Sequence, residues 1–181
     1  MYFFDKEYTY YSDPWPHLII NDALDIDIAD RLSHEFIQSQ NPGTRTEFWN
    51  EFVNYNINRL DDMVKFLDTV FGKFTTAYKY QTNLCGNLPN EGKVEKDWHI
   101  DGPDKIYQIL YYMDSEEDYG YFEASSDDKG TNSKIIPYRH NRIIAFPSSH
   151  GFDGEKASWH RFFSTVNVHR KTFNIPIQRI E

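Results

Sequence analysis

Apolar residues recur at helical spacing over the first third of this chain and at strand spacing over most of the rest. Leu24, Ile28, Leu32 and Phe36 fall every four residues, and Ala29 joins the same stripe. This periodicity predicts a helix over 25–39, with Asp25 at its N-cap and the breaker NPGT at 41–44 after it. A short apolar run, PHLIIN at 16–21, predicts a strand before that helix. Leu60, Met63, Val64, Leu67, Val70, Phe71 and Phe74 share one face and predict a single longer helix over 58–78. Such a stripe is core-forming and suits a helix that backs a sheet.

From Thr76 onward the pattern changes to short β-rich segments near 78–85, 93–100, 105–113, 119–125, 133–137, 141–147, 157–168 and 170–178. Turn-forming stretches separate them, among them GNLPNEG at 86–92, DGPD at 101–104, SSDDKGTN at 125–132 and PSSHGFDGEK at 147–156. About eight short strands with no intervening helical period predict two packed sheets of the jelly-roll kind, not a parallel α/β sheet. The expected organisation is one mainly β (α+β) domain over 1–181, with a helical buttress at about 22–78 and a jelly-roll core at about 79–178. The abundance of rings, 14 Phe, 13 Tyr and 4 Trp, fits such a chain, because aromatic side chains suit pleated surfaces.

Charge narrows the partners. A net charge of −9, with no basic stripe, argues against binding nucleic acid or an anionic membrane. A lone Cys85 excludes a disulfide framework and fits a reducing compartment. The first residues, MYFFDKEYTYYSDPW, carry acids and no long apolar run, so no signal peptide is expected there, and no apolar run is long enough to span a bilayer. The expected location is the cytoplasm.

One constellation carries chemistry. His99 and Asp101 are one residue apart at the end of a predicted strand, so they face the same side and can reach one ion. His160 falls on a late strand, and Arg170, Thr172 and Asn174 alternate on the last one, with Lys171 pointing away from them. Two imidazoles and a carboxylate form the donor set of a non-haem Fe(II) site with open positions. An Arg with a hydroxyl two residues on suits the far carboxylate of a dicarboxylic acid. Iron with a dicarboxylate points to an oxygenase that uses 2-oxoglutarate. The His-x-Asp spacing alone says little: 7 His and 17 Asp in 181 residues give 7 × 17 / 181, about 0.7, such pairs by chance. A lone His is more often bound to backbone, and a lone Arg is more often half of a surface pair. The joint order on successive strands is what favours a site. His17, His34, His140, His150 and His169 have no such context and are assigned structural or solvated roles.

On these residues the chain resembles the Fe(II)/2-oxoglutarate-dependent dioxygenases, in the prolyl 4-hydroxylase-like branch. The resemblance runs through PWPHLIINDALDIDIADRL at 14–32, DWHIDGPDKIYQILYYMD at 97–114, NRIIAFPSSHGFDGEKASWHRF at 141–162 and HRKTFNIPI at 169–177. It implies a double-stranded β-helix (jelly roll) buttressed by N-terminal helices. It implies that His99, Asp101 and His160 are the iron ligands and that Arg170 pairs with the 5-carboxylate of 2-oxoglutarate. Thr172 matches the hydroxyl of the Arg-x-Ser/Thr pattern, Tyr112 resembles a tyrosine that hydrogen-bonds the cosubstrate, and Tyr80 is a further pocket candidate. The implied activity is hydroxylation of a substrate C–H bond with Fe(II), 2-oxoglutarate and O₂, ascorbate serving as reductant.

A carboxylate at position 101 argues for hydroxylation, because related halogenases have a small residue there. The chain departs from the family in two places. It has Gly120-Tyr121-Phe122-Glu123 where Gly-Gly-Glu-Leu is common, and a long loop holding His150 precedes His160. The substrate branch implies a prolyl residue in a peptide, with a free amino acid or other small molecule as the alternative. The loops 86–97, 114–132 and 147–158 are expected to frame it, beside Trp98 and Trp159. A non-catalytic jelly-roll binding module would have little need of the three ligands and the Arg together. A cupin-type metal enzyme would present a His-x-His pair that is absent here.

Overall fold

The helical period of the N-terminal part produces a layer of three helices in the computed structural model, which describes residues 3–39, 45–73, 75–80, 83–87, 94–95, 97–114, 120–151, 155–164 and 170–180. Helix α1 spans Ile26–Ser39, directly after Asp25, whose carbonyl accepts the N–H groups of Ile28 and Ala29. Ala29, Leu32 and Phe36 of its stripe are fully buried. The 58–78 expectation is corrected. Helix α3 runs only from Leu60 to Phe71, because Gly72 takes the left-handed conformation (φ 66°) and closes the helix through its N–H to Asp68 O. The hydrophobic pattern assigned nothing to 45–57, yet helix α2 occupies Glu47–Ile57. Thr46 caps it by accepting the N–H of Trp49 at 3.2 Å and donates its hydroxyl to Glu35 of α1. Helix α2 buries Trp49, Phe52, Val53 and Asn56, the i, i+3, i+4, i+7 face, and its solvent side includes Asn50 and Asn54, residues of low helix propensity.

The strands are β1 (Thr9–Tyr11), β2 (His17–Ile20), β3 (Tyr78–Tyr80), β4 (Asn83–Asn87), β5 (Val94–Glu95), β6 (Lys105–Asp114), β7 (Gly120–Ser125), β8 (Lys134–Pro137), β9 (Arg142–Pro147), β10 (Trp159–Ser164) and β11 (Arg170–Arg179). They form a seven-stranded sheet, β1-β2-β9-β6-β11-β3 with β4 also on β11, and a four-stranded sheet, β5-β10-β7-β8. Every pairing is antiparallel, which makes the architecture a mainly β jelly roll. The predicted 78–85 segment is two strands, the predicted 93–100 segment contains β5 and an isolated bridge at His99, and the edge strand β1 had no signal in the pattern.

Alternation along β6 divides the core in two. Tyr107, Ile109, Tyr111 and Met113 pack on the helices with Phe173 and Ile175 of β11. Leu110 and Tyr112 face the second sheet, with Phe122, Ile144 and Phe146. Gly120 opens β7 at φ 142°, where any Cβ would lie 2.1 Å from Phe163 O, so only glycine brings β7 this close to β10. Among the described residues, no helix is long and apolar enough to cross a membrane.

Candidate metal centre

His99 and His160 are 61 residues apart in sequence, and backbone pairing joins them. His99 N–H donates to His160 O at 3.0 Å and His160 N–H to His99 O at 2.9 Å. Residues paired in this way across an antiparallel bridge project to the same face, and the two rings stand 4.4 Å apart between centroids. Asp101 follows two residues after His99. The ligand atoms of His99, Asp101 and His160 all lie within 4.8 Å of one another.

Both imidazoles are oriented alike. His99 Nδ1 lies 2.9 Å from Asp97 O, and His160 Nδ1 lies 2.8 Å from Ser158 O. A carbonyl can only accept, so each Nδ1 carries the proton and each Nε2 keeps its lone pair for the centre. His160 is further confined by the rings of Phe122, stacked at 5.4 Å, and Phe146, edge-on at 5.2 Å.

The electrostatics keep this donor set ready for a cation. Burial is the largest influence on His160 and pushes it down to about 4, against the opposing charge of Asp101, so its imidazole is neutral at pH 7. Burial acts to raise Asp101, but its interactions with His160, with the Lys105 ammonium that donates to it and with His99 outweigh burial and hold it below the usual carboxylate value. Of this coupled pair, the state that stands at neutral pH is ionised Asp101 beside neutral His160, because burial disfavours a charged ring. Asp101 Oδ1 accepts from Lys105 Nζ at 2.7 Å. Asp101 Oδ2 is buried without a hydrogen-bond partner among the described residues and lies 3.9 Å from His160 Nε2. A buried carboxylate oxygen left unpaired is costly unless something else binds it, which is the position of a metal ligand. The residues therefore fit a divalent cation bound by two nitrogens and one oxygen.

The inner face of the large sheet continues from this centre. Thr172 pairs with Tyr112 across β11 and β6, and both side chains are buried. Thr172 Oγ1 has no hydrogen-bond partner among the described residues. Tyr112 stacks on Tyr138 at 4.8 Å. Lys171 turns the other way, donating to Ser33 O and Oγ of α1 at 3.0 and 3.1 Å, as alternation requires. Arg170 opens β11 with its backbone paired to Asn87, but its side chain lies outside the described residues. Two polar residues on this side had not been singled out. Gln108 is buried on the inner face with Oε1 unpartnered among the described residues, and Lys105 holds Asp101. A spacing of i, i+4 across the DGPD turn is the signal that could have drawn attention to Lys105.

Other expectations are corrected. Tyr80 pairs with Ile177 and, with Phe173, Ile175 and residues of α2 and α3, borders a small cavity on the helical face, so it does not line the centre. Trp98 lies under the Arg161 guanidinium, 4.7 Å from its ring centroid, and Arg161 also pairs with Glu123 at 2.7 Å. Arg161 alternates with His160 on β10, so this cluster occupies the opposite face of the sheet. An open cleft of about 870 Å³, lined by none of the three candidate ligands, shares Lys105 with the centre and is otherwise bordered by Ser149, His150, Arg179 and the Lys73–Glu155 ion pair (2.6 Å). His150, given a structural or solvated role from sequence, is at this cleft. Of the three loops expected to frame a substrate, 88–93, 96, 115–119 and 152–154 lie outside the described residues.

No protein-family sequence model matches the chain, and no curated protein matches it in sequence. Its three-dimensional structure does match solved ones. A Pseudomonas putida prolyl-4-hydroxylase aligns at TM-score 0.63 with 12% identity, over 90% of this chain and 84% of that one. The viral collagen prolyl hydroxylase of Paramecium Bursaria Chlorella virus-1, solved as a 2-oxoglutarate complex, aligns at 0.61 with 15% identity, over 91% and 96%. A Trichoplax adhaerens prolyl hydroxylase, solved with a hypoxia-inducible factor peptide fragment, aligns at 0.64 with 12% identity, over 90% and 83%. At such identities the likeness establishes the fold, and this chain has the double-stranded β-helix fold of the prolyl 4-hydroxylases.

Proposed function

We propose that this chain is an Fe(II)- and 2-oxoglutarate-dependent dioxygenase, acting as one domain over 1–181, that hydroxylates a prolyl residue in a peptide. The observation that carries the reading is the convergence of one ligand atom each from His99, Asp101 and His160, with each Nδ1 bound to a backbone carbonyl and Asp101 Oδ1 held by Lys105. His99, Asp101 and His160 would hold the iron. Iron with 2-oxoglutarate and O₂ supplies the oxidising power, 2-oxoglutarate leaving as succinate and CO₂.

The rest is the work of this chain's own groups. Asp97 and Ser158 carbonyls fix the ring orientation of the two histidines. Phe122 and Phe146 shield His160 from water. Thr172 and Tyr112 offer hydroxyls toward the cosubstrate, and Arg170 provides the counter-charge for its 5-carboxylate. The 870 Å³ cleft is near the upper end of the roughly 300–1,000 Å³ of enclosed ligand pockets, and being open it suits several residues of extended peptide. The solved prolyl hydroxylase that holds a peptide fragment supports that choice. A cytoplasmic location follows from the lone Cys85 and the acidic surface.

Succinate release with Fe(II), ascorbate and 2-oxoglutarate, over a panel of prolyl peptides and free amino acids, tests the reading. Prolyl peptides should stimulate turnover above the uncoupled rate. Stimulation by a free amino acid alone would overturn the peptide assignment, and absence of any iron-dependent 2-oxoglutarate turnover would overturn the enzyme.

A further inference from the structure

Asp101 presents a single oxygen to the metal centre, and the cause is an irregularity in β6. The β6–β11 register slips between Ile177/Tyr107 and Gln178/Lys105, leaving Ile106 as an extra residue. Ile106 and Tyr107 both pack on the helical core. The bulge therefore reverses the parity of the strand, and Lys105 shares the face of Gln178, opposite to Tyr107. Bulges beside functional sites re-aim side chains in this way. The DGPD turn completes the placement: Lys105 N–H donates to Gly102 O at 3.0 Å, so the side chain folds back over the turn onto Asp101. The contact is 2.7 Å and sheltered, with 25% of the Lys105 side chain and 12% of the Asp101 side chain exposed.

We propose that Lys105 is a positioning residue which, by holding Asp101 Oδ1, restricts the carboxylate to one-oxygen ligation through Oδ2. This rests on the iron site proposed above. Its consequence is a count of positions. Three single-atom ligands leave three places on a six-coordinate ion. A 2-oxoglutarate chelate needs two of them and O₂ needs the third. A carboxylate free to ligate through both oxygens would occupy the place required by O₂. Lys105 also borders the cleft, so the group that orients the ligand lies where a substrate would enter.

The experiment compares wild type, Lys105→Met and Lys105→Arg, each metal-free and then loaded with Co(II) as a spectroscopic probe, with circular dichroism confirming the fold. Lys105→Met should bind Co(II) at one equivalent with an altered visible spectrum, reporting a changed ligand field. With Fe(II), its kcat should fall roughly 10- to 100-fold, the usual range for losing a partner of a metal ligand, while KM for 2-oxoglutarate changes little and KM for O₂ rises. Lys105→Arg keeps a donor within reach of Oδ1 and should restore the wild-type spectrum. If Lys105→Met does not fold, Lys105→Gln, whose shorter amide cannot span to Oδ1, takes its place. A Co(II) spectrum in the donor-less variant identical to wild type overturns the role of Lys105, as does a Lys105→Arg spectrum matching that variant. Wild-type protein that binds no Co(II) would overturn the iron-site reading itself, a result distinct from either.

Discussion

Replacing Thr172 by Val should stabilise the protein and weaken its cosubstrate binding at once. Thr172 is 3% exposed, and its hydroxyl has no hydrogen-bond partner among the described residues. Burying a hydroxyl without a partner costs roughly 1–3 kcal/mol. Valine has nearly the same shape and no polar atom, so the variant should regain much of that. In a chain of this size about 1 kcal/mol corresponds to roughly 2–4 °C in Tm, and the melting temperature without ligand should rise by at least that amount. The opposite sign is expected once 2-oxoglutarate binds. A hydrogen bond to a charged group contributes about 1.5–3 kcal/mol, so its loss should raise the Kd by roughly 10- to 150-fold. Differential scanning fluorimetry of the ligand-free protein, with calorimetric titration of 2-oxoglutarate into the Mn(II)-loaded protein under anaerobic conditions, reads both numbers. A variant that melts lower than wild type and binds 2-oxoglutarate equally well would refute the reasoning, because the hydroxyl would then have a structural partner and no ligand.

Three other outcomes are expected. His99→Ala should abolish iron-dependent turnover and high-affinity metal binding while leaving the far-ultraviolet dichroism intact; retained one-equivalent metal binding would show that the three side chains are not the ligand set. Phe173→Ala should destabilise by about 3–5 kcal/mol, since the ring is 1% exposed and packs on Phe52 at 5.6 Å and Trp49 at 6.2 Å; a loss below about 1 kcal/mol in urea titration would mean the helical layer contributes little here. Acid should destabilise the metal-free protein through His160. Its folded-state value of about 4 lies below the ordinary 6.5, so the unfolded chain binds more protons between those values and stability falls as pH is lowered through that window, by up to about 3 kcal/mol. His17, also lowered chiefly by burial, acts with the same sign. If His160→Gln retained the wild-type slope of stability against pH between 6.5 and 4, the buried neutral imidazole would not be its source.

Strand positions were legible because period and turn chemistry are local. Six of the eight predicted β segments each match a single strand within a few residues at their ends, residues 165–168 of the 157–168 segment lying outside the described residues, and the alternation of Lys171, Thr172 and Phe173 on β11 follows from pleat geometry alone. The stripe of α1 was equally clear, as its apolar residues stand among charged ones. Helix α2 was hidden, because its buried face sits among asparagines and includes Asn56 itself, whose amide nitrogen donates to Phe52 O only once the helix exists. The early end of α3 depended on the backbone of Gly72, which hydrophobic spacing does not report.

By itself, then, the sequence determined the strand-rich architecture, the helical stripe at 25–39, the chemical identity of the candidate donors His99, Asp101 and His160, and the alternating face of β11. These are properties of neighbouring residues. What only the tertiary structure decided depends on which distant backbones pair and in what register. The bridge between His99 and His160 closes the centre across 61 residues. The pairing of Tyr80 with Ile177 sends that tyrosine to the helical side. A one-residue bulge at Ile106 turns Lys105 onto Asp101, because a shift of one position in a strand exchanges its two faces, and pattern within a single strand cannot reveal where its partner slips.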